Sequence, residues 1–116
     1  MPAKQPRLFP SLQKQLVQLG ERLRAARLRR HYTIETVCIR ANIARATLYR
    51  AEAGDSAVAL GTYARILKVL GLDNDLSLVA KDDLLGRRLQ DMELPQKRIR
   101  NTKRTSPETI DDQTPQ

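Results

Sequence analysis

Residues 33–54, TIETVCIRANIARATLYRAEAG, constrain this chain more than any other stretch, because they join two short helical segments with almost nothing between them. Thr33 follows the apolar Tyr32 and can accept a hydrogen bond from the first free amides of a helix. Val37 then falls at the fourth helical position, so Tyr32 and Val37 can close a hydrophobic staple that sets the angle of entry. The first helix runs to Arg40 or Ala41 and meets Asn42. Asparagine is one of the few non-glycine residues that takes the left-handed conformation at modest cost, which stops a helix sharply. A second helix restarts within a residue or two. Its apolar positions Ile43, Leu48 and Ala51, with Thr47 alongside, can pack on Val37 and Cys38, leaving Arg45, Ala46, Tyr49 and Arg50 on the opposite side. The close crossing needs a small residue in the first helix, a left-handed residue at the turn and an aliphatic in the second. Cys38, Asn42 and Leu48 occupy those places. Two helices joined in this way, with arginines on the outer face of the second, form a helix-turn-helix signal directed at a DNA major groove.

At these residues the chain resembles the Cro/C1-type regulators, also called the xenobiotic-response-element family. The resemblance runs from about Leu19 to Leu72 and includes the opening LGERLRAAR, the two-helix unit, the closing Glu52 and Gly54, and the following LGTYARILKVLGL. It implies an all-α, five-helix lambda-repressor-like DNA-binding domain, here with a C-terminal extension and flexible tails. It places base-reading positions on Arg45, Ala46 and Arg50, with Thr47 set for a phosphate or base edge. Tyr49, Thr33 and Arg40 complete the expected DNA-binding set. In the same frame Arg27 pairs with Glu52 at the close of the recognition helix, a structural role and not a reading one. Two positions depart from the family. Ile34 stands where a glutamine usually clamps the DNA backbone, and Ala44 where a serine or threonine usually caps the recognition helix, a loss of about 1 kcal/mol.

Charge supports a polyanionic partner. The 116 residues carry a formal net charge of +8 and a pI of about 10.3, which favours nucleic acid or an anionic membrane surface. Residues 1–50 hold 11 Lys or Arg against 2 Asp or Glu, whereas residues 51–116 hold 10 against 11, so the basic half contains the reading head. A chain of this length is expected to form one small domain with tails. Its single cysteine, Cys38, cannot form an internal disulfide and reads as a small packing residue. The sequence shows neither a secretory signal nor an apolar run able to span a bilayer, so a cytoplasmic, nucleoid-associated protein without membrane partners is expected. One Cys and one His, His31 in a turn, assemble no metal site. Nor can a nucleophile, acid–base pair or phosphate loop be assembled, so the chain reads as a non-enzyme without cofactors.

Taken in order, residues 1–10 read as a flexible arm, and residues 11–80 as the helix-turn-helix domain. Within that domain Leu12, Leu16, Leu19, Leu23 and Ala26 make one apolar stripe, ringed by Arg22, Arg24, Arg27, Arg29 and Arg30. A later helix, Leu60 to Leu70, presents Leu60, Tyr63, Ala64, Leu67 and Leu70 to the underside of the two-helix unit and ends at Gly71. A last short helix around Asp73 to Val79 offers Leu72, Leu76 and Val79 to the core or to a dimer partner. A core of about 70 residues is small enough that association of subunits is physically reasonable. Residues 81–94 read as an amphipathic extension interrupted at Gly86, which either docks on the domain or is ordered by another protein. Residues 95–116 read as a basic and then polar disordered tail, either a solvated terminus or a supplementary phosphate contact.

The expected mechanism is a two-fold dimer with one recognition helix in each of two major-groove faces, bound to an inverted-repeat operator on double-stranded DNA and repressing by occupancy. LGERLRAARLRR, LGTYARILKVLGL and LPQKRIR resemble, within the family, the antitoxins encoded beside HipA-type kinase toxins. That likeness implies repression of the protein's own operon and neutralisation of a HipA-like kinase. Two other readings stay open: a stand-alone regulator of a phage or mobile element, and a protein-interaction module whose DNA surface is idle.

Overall fold

The structure, a computed structural model, describes residues 6–93. Four α-helices follow one another, α1 (Pro10–Arg29), α2 (Ile34–Ala41), α3 (Arg45–Glu52) and α4 (Leu60–Leu70), and a 3₁₀ helix spans Asp73–Leu78. No strand occurs among the described residues, so the architecture is all-α, as the sequence implies. A first compact unit ends at Val79 and a second begins at Ala80. The outer part of the N-terminal arm, residues 1–5, and the tail from residue 94 onward lie outside the described residues.

Each of α1 to α4 ends by one device, a left-handed residue followed by a backbone bond that reaches back five residues. His31, Asn42, Gly54 and Gly71 have φ of 56°, 56°, 78° and 76°. The next amide in each case closes on the helix: Tyr32 to the Arg27 carbonyl (3.1 Å), Ile43 to Cys38 (3.0 Å), Asp55 to Arg50 (3.0 Å) and Leu72 to Leu67 (2.8 Å). The left-handed residue donates to the carbonyl three before it, which completes a Schellman motif and satisfies carbonyls that a helix end otherwise leaves bare. Reversals this tight keep the links short, four residues between α1 and α2 and three between α2 and α3.

The helix starts are less uniform. Pro10, expected in the arm, is instead the first residue of α1, where its missing amide costs nothing and its fixed φ suits a helix. Thr33 caps α2, its hydroxyl oxygen accepting the Thr36 amide at 3.0 Å. Ala44 precedes α3 with extended backbone and no side-chain cap, and Ala59 precedes α4 in the same way.

The core gathers Leu23 and Ala26 of α1, Val37 and Cys38 of α2, Leu48 and Ala51 of α3, and Tyr63, Ile66 and Leu70 of α4. Leu48, Ile66 and Val37 are its largest fully buried side chains. Two expected stripes need correction. On α4, Leu60 is 73% exposed and Ile66 takes the central buried place at 1%. Leu60 is the first helical residue, a turn before the buried face begins, while Tyr63, Ile66, Leu67 and Leu70 repeat at helical spacing. On α1, Leu12 is exposed and Leu16 and Leu19 are half-buried, so full burial begins only at Gly20. The segment Asp73–Leu78 is a 3₁₀ helix; Leu72 packs on the core, Leu76 is half-buried, and Leu78 and Val79 are exposed.

In the second unit, residues 84–93 are helical without a break at Gly86, contrary to expectation. The Asp83 carboxylate accepts the Gly86 amide at 2.9 Å and caps the helix start. A Cβ at Gly86 would run into that same carboxylate, so glycine fits the cap instead of interrupting the helix. Leu84, Leu85, Leu89 and Met92 are exposed along it.

Candidate nucleic-acid interface

The proposed reading helix, α3, is fixed by its neighbours on three counts. Its inner face is buried through Leu48 and Ala51, neither of which retains any solvent exposure. Its C-terminal end abuts α1 across two glycines. A Cβ at Gly20 would collide with the Glu52 carbonyl and the Gly54 amide nitrogen, and a Cβ at Gly54 would collide with the backbone of Leu16 and Val17. Gln13 of α1 adds a hydrogen bond from its side-chain amide to the Gly54 carbonyl at 3.2 Å. The third count is ionic: Arg27 Nε lies 2.7 Å from Glu52 Oε2, and Arg27 Nη2 donates to Glu52 Oε1 at 3.2 Å.

With the inner face occupied, Arg45, Ala46, Tyr49 and Arg50 stand exposed together, as the sequence places them. At 3.6 residues per turn these four cover about 140° of the helix circumference, centred opposite Leu48 and Ala51. Thr47 lies on the flank, half-buried. Arg45 and Arg50 are separated by about 7.5 Å along the axis, enough to address different base pairs. The first turn of α3 holds no acidic residue, and Arg45 occupies its first position. A cation at the positive end of an uncapped helix is locally unfavourable in water and is relieved by an anion.

Thr33 and Arg40, at the two ends of α2, are both exposed. The Thr33 hydroxyl already accepts the Thr36 amide and donates to the Thr36 hydroxyl at 2.9 Å. Arg40 lies over the Tyr32 ring, 4.9 Å from its centroid, a cation–π contact that holds the guanidinium at the edge of α2. Ile34, in the place of the family's glutamine, packs against the core. The position therefore contributes apolar packing where the family has a polar clamp.

Sequence reasoning missed three features. Gly20 gives no pattern signal, since it looks like a lone penalty inside α1. Arg65 also went unremarked, yet it comes together with Arg40 and Lys68 around a shallow cleft of about 370 Å³ between α2 and α4. Its Nη1 reaches the Asn42 carbonyl at 3.5 Å. The third is Asp55, whose Oδ2 lies 3.8 Å from Arg50 Nε. Only the way α3 ends brings these last two together.

Cys38 is buried, and that burial pushes its thiol up from its ordinary value, with the nearby Arg45 opposing. A protonated, enclosed thiol packs and does not attack. Among the described residues no group of three or more His, Cys, Asp or Glu could hold a metal ion, and no helix is long and apolar enough to cross a membrane.

Comparison with protein families matches this chain to the helix-turn-helix domain over residues 18–78, more than half its length and the whole of the α2–α3 unit. Neither the curated proteins nor the solved structures include a match to it.

Proposed function

The chain belongs to the helix-turn-helix domain family, and from that premise we propose that it is a sequence-specific DNA-binding repressor acting as a two-fold dimer on an inverted repeat. A domain of this family points to DNA binding and transcriptional regulation. The observation that carries the finer reading is the outer face of α3, where Arg45 and Arg50 stand exposed on a helix whose other side is locked into the core. Each arginine can offer paired donors to the O6 and N7 of a guanine, worth about 1–3 kcal/mol of discrimination apiece. Ala46 leaves room for a thymine methyl, and Tyr49 and Thr47 flank the base edges. Phosphates are met by Arg40 and by the remaining exposed cations, so that affinity falls steeply with salt. A dimer that spaces two such helices about one helical turn apart covers a promoter and blocks polymerase.

We extend this reading to an antitoxin that represses its own operon and holds a HipA-type kinase inactive. Its support is the likeness of the segments around Leu19–Arg30, Leu60–Leu72 and Leu94–Arg100 to such antitoxins. The exposed Leu84, Leu85, Leu89 and Met92 add an apolar surface that a protein partner can cover.

Fluorescence anisotropy tests the DNA reading, using labelled duplex from upstream of the protein's own gene against scrambled duplex, at two salt concentrations. Tight binding that prefers the upstream duplex and is relaxed by Arg45→Ala is the expected outcome. Equal, salt-sensitive binding to both duplexes, indifferent to Arg45→Ala, overturns it. For the antitoxin role, the purified protein is expected to retain a kinase-like product of the neighbouring gene, and failure to retain it removes that role.

A further inference from the structure

Arg50 and Asp55 meet because of how α3 terminates. Gly54, left-handed at φ 78°, folds the chain back so that the Asp55 amide bonds to the Arg50 carbonyl at 3.0 Å. In a motif of this kind the side chains at those two positions face each other, and they are commonly an apolar pair. Here they carry opposite charges, with Arg50 Nε 3.8 Å from Asp55 Oδ2.

The carboxylate is held while the arginine is not. Asp55 Oδ1 accepts the Ala57 amide at 2.8 Å, and the Asp55 carbonyl accepts the Tyr63 hydroxyl at 2.9 Å. The turn beneath cannot slide, since Gly54 lies against the backbone of Leu16 and Val17. Arg50, by contrast, keeps 56% of its side chain in solvent. A fixed anion beside a movable guanidinium biases which of the guanidinium's edges faces outward. With Nε toward Asp55, the Nη1/Nη2 edge is left for an acceptor pair, and guanine presents such a pair at O6 and N7. The same negative charge repels phosphate and so disfavours the pose in which Arg50 swings onto the DNA backbone.

We propose that Asp55 is a specificity-determining residue, which orients Arg50 for guanine and against phosphate from the turn that closes α3. This rests on the base-reading role proposed above for Arg50. It adds a residue outside the recognition helix that touches no base and yet sets what one base position accepts.

The test begins with a pool of duplexes carrying a randomised core of about two helical turns, from which the wild-type protein selects its preferred sequence. Anisotropy on that duplex and on its single-base variants then compares wild type, Arg50→Ala, Asp55→Asn and the double variant. Asparagine keeps an oxygen for the Ala57 amide, and a circular-dichroism melt checks that Asp55→Asn is folded. Arg50→Ala is expected to abolish a guanine preference at one base pair of each half-site. Asp55→Asn is expected to weaken that preference about three- to tenfold at the same pair only, to steepen the salt dependence, and to add nothing in the double variant. An unchanged preference in Asp55→Asn, or a loss spread evenly over all positions, overturns the role of Asp55 while leaving Arg50 as a reader. If wild type selects no sequence, or Arg50→Ala alters no base preference, the base-reading role itself fails and the proposal falls with it.

Discussion

Arg27 and Glu52 form a two-pronged ion pair, Nε to Oε2 at 2.7 Å and Nη2 to Oε1 at 3.2 Å, with less than a tenth of either side chain exposed. The remaining prong, Nη1, donates to the Tyr32 carbonyl at 3.1 Å. One guanidinium therefore ties α1 to the last residue of α3 and to the turn that launches α2. Removing one partner strands the other charge in a buried place, which costs about 3–5 kcal/mol. Glu52→Ala is expected to lower the melting temperature by well over 10 °C, at about 4–8 °C per kcal/mol for a domain of this size. Pairing Arg27→Met with Glu52→Leu is expected to recover most of that loss, because an apolar pair carries no stranded charge. Thermal melts followed by circular dichroism decide it; a single-variant loss under about 1 kcal/mol would show that the pair behaves as a surface one.

Ala44 stands at the cap position of α3 with φ −77° and ψ 155°, the extended conformation that a capping residue adopts, and with no side-chain oxygen to offer. Ala44→Ser fills that vacancy without moving the backbone. It is expected to stabilise the fold by about 1 kcal/mol, seen as a rise in the urea midpoint at unchanged slope. No rise would mean that the first amides of α3 are already well satisfied by water. In a DNA complex those amides are also available to a phosphate, so the natural alanine is consistent with stability given up at a functional surface.

Gly20 is required by contact and not by backbone angle, for it lies within a regular helix and is not among the positive-φ residues. Any Cβ there meets the Glu52 carbonyl and the Gly54 amide nitrogen, both backbone atoms that cannot rotate aside. Gly20→Ala, which on propensity alone would strengthen α1 by up to about 1 kcal/mol, is expected to destabilise the domain by about 1–3 kcal/mol. It is also expected to weaken DNA binding by tilting α3. A melt that shows Gly20→Ala to be stabilising would mean that α1 and α3 do not pack this closely in solution.

The elements legible in the sequence are those written in local chemistry. Thr33 and Asn42 mark the start and stop of α2 by what their side chains and backbones do alone, and the buried and exposed faces of α3 follow from spacing. Arg27 and Glu52 lie 25 residues apart, and their pairing was legible through family resemblance only. Ile66 was legible and overlooked, since it shares the Tyr63–Leu70 stripe; Leu60 misled because its period matches while its place at the helix start does not. Gly86 misled for the opposite reason, its helix penalty being offset by the Asp83 cap. Gly20 and Asp55 could not be read at all. Their roles depend on where the end of α3 falls against α1 and on the hand of one turn, neither of which leaves a mark in the pattern of apolar residues.

Alkaline pH probes the same turn through Tyr63, which is buried and donates its hydroxyl to the Asp55 carbonyl at 2.9 Å. Burial first, and the Asp55 carboxylate second, push its ionisation above the ordinary value of about 10. As pH rises through about 10, Tyr63 in the unfolded chain loses its proton while the folded chain keeps it. The unfolded state then binds fewer protons, so the unfolding free energy falls with pH. This contribution is fully present below pH 10 and is lost as pH climbs through the raised folded value. Burial of Cys38 acts in the same direction from its ordinary value of about 9. Urea unfolding between about pH 7 and 11 is expected to show wild-type stability declining above pH 9 and more steeply above 10. Tyr63→Phe is expected to start lower by about 1 kcal/mol for the lost hydrogen bond, and then to decline less above pH 10 than wild type does. Parallel curves for the two proteins above pH 10 would show that the hydroxyl ionises as readily in the fold as out of it. The bond that anchors Asp55 would then not hold in solution, and the fixed carboxylate beside Arg50 would lose that support.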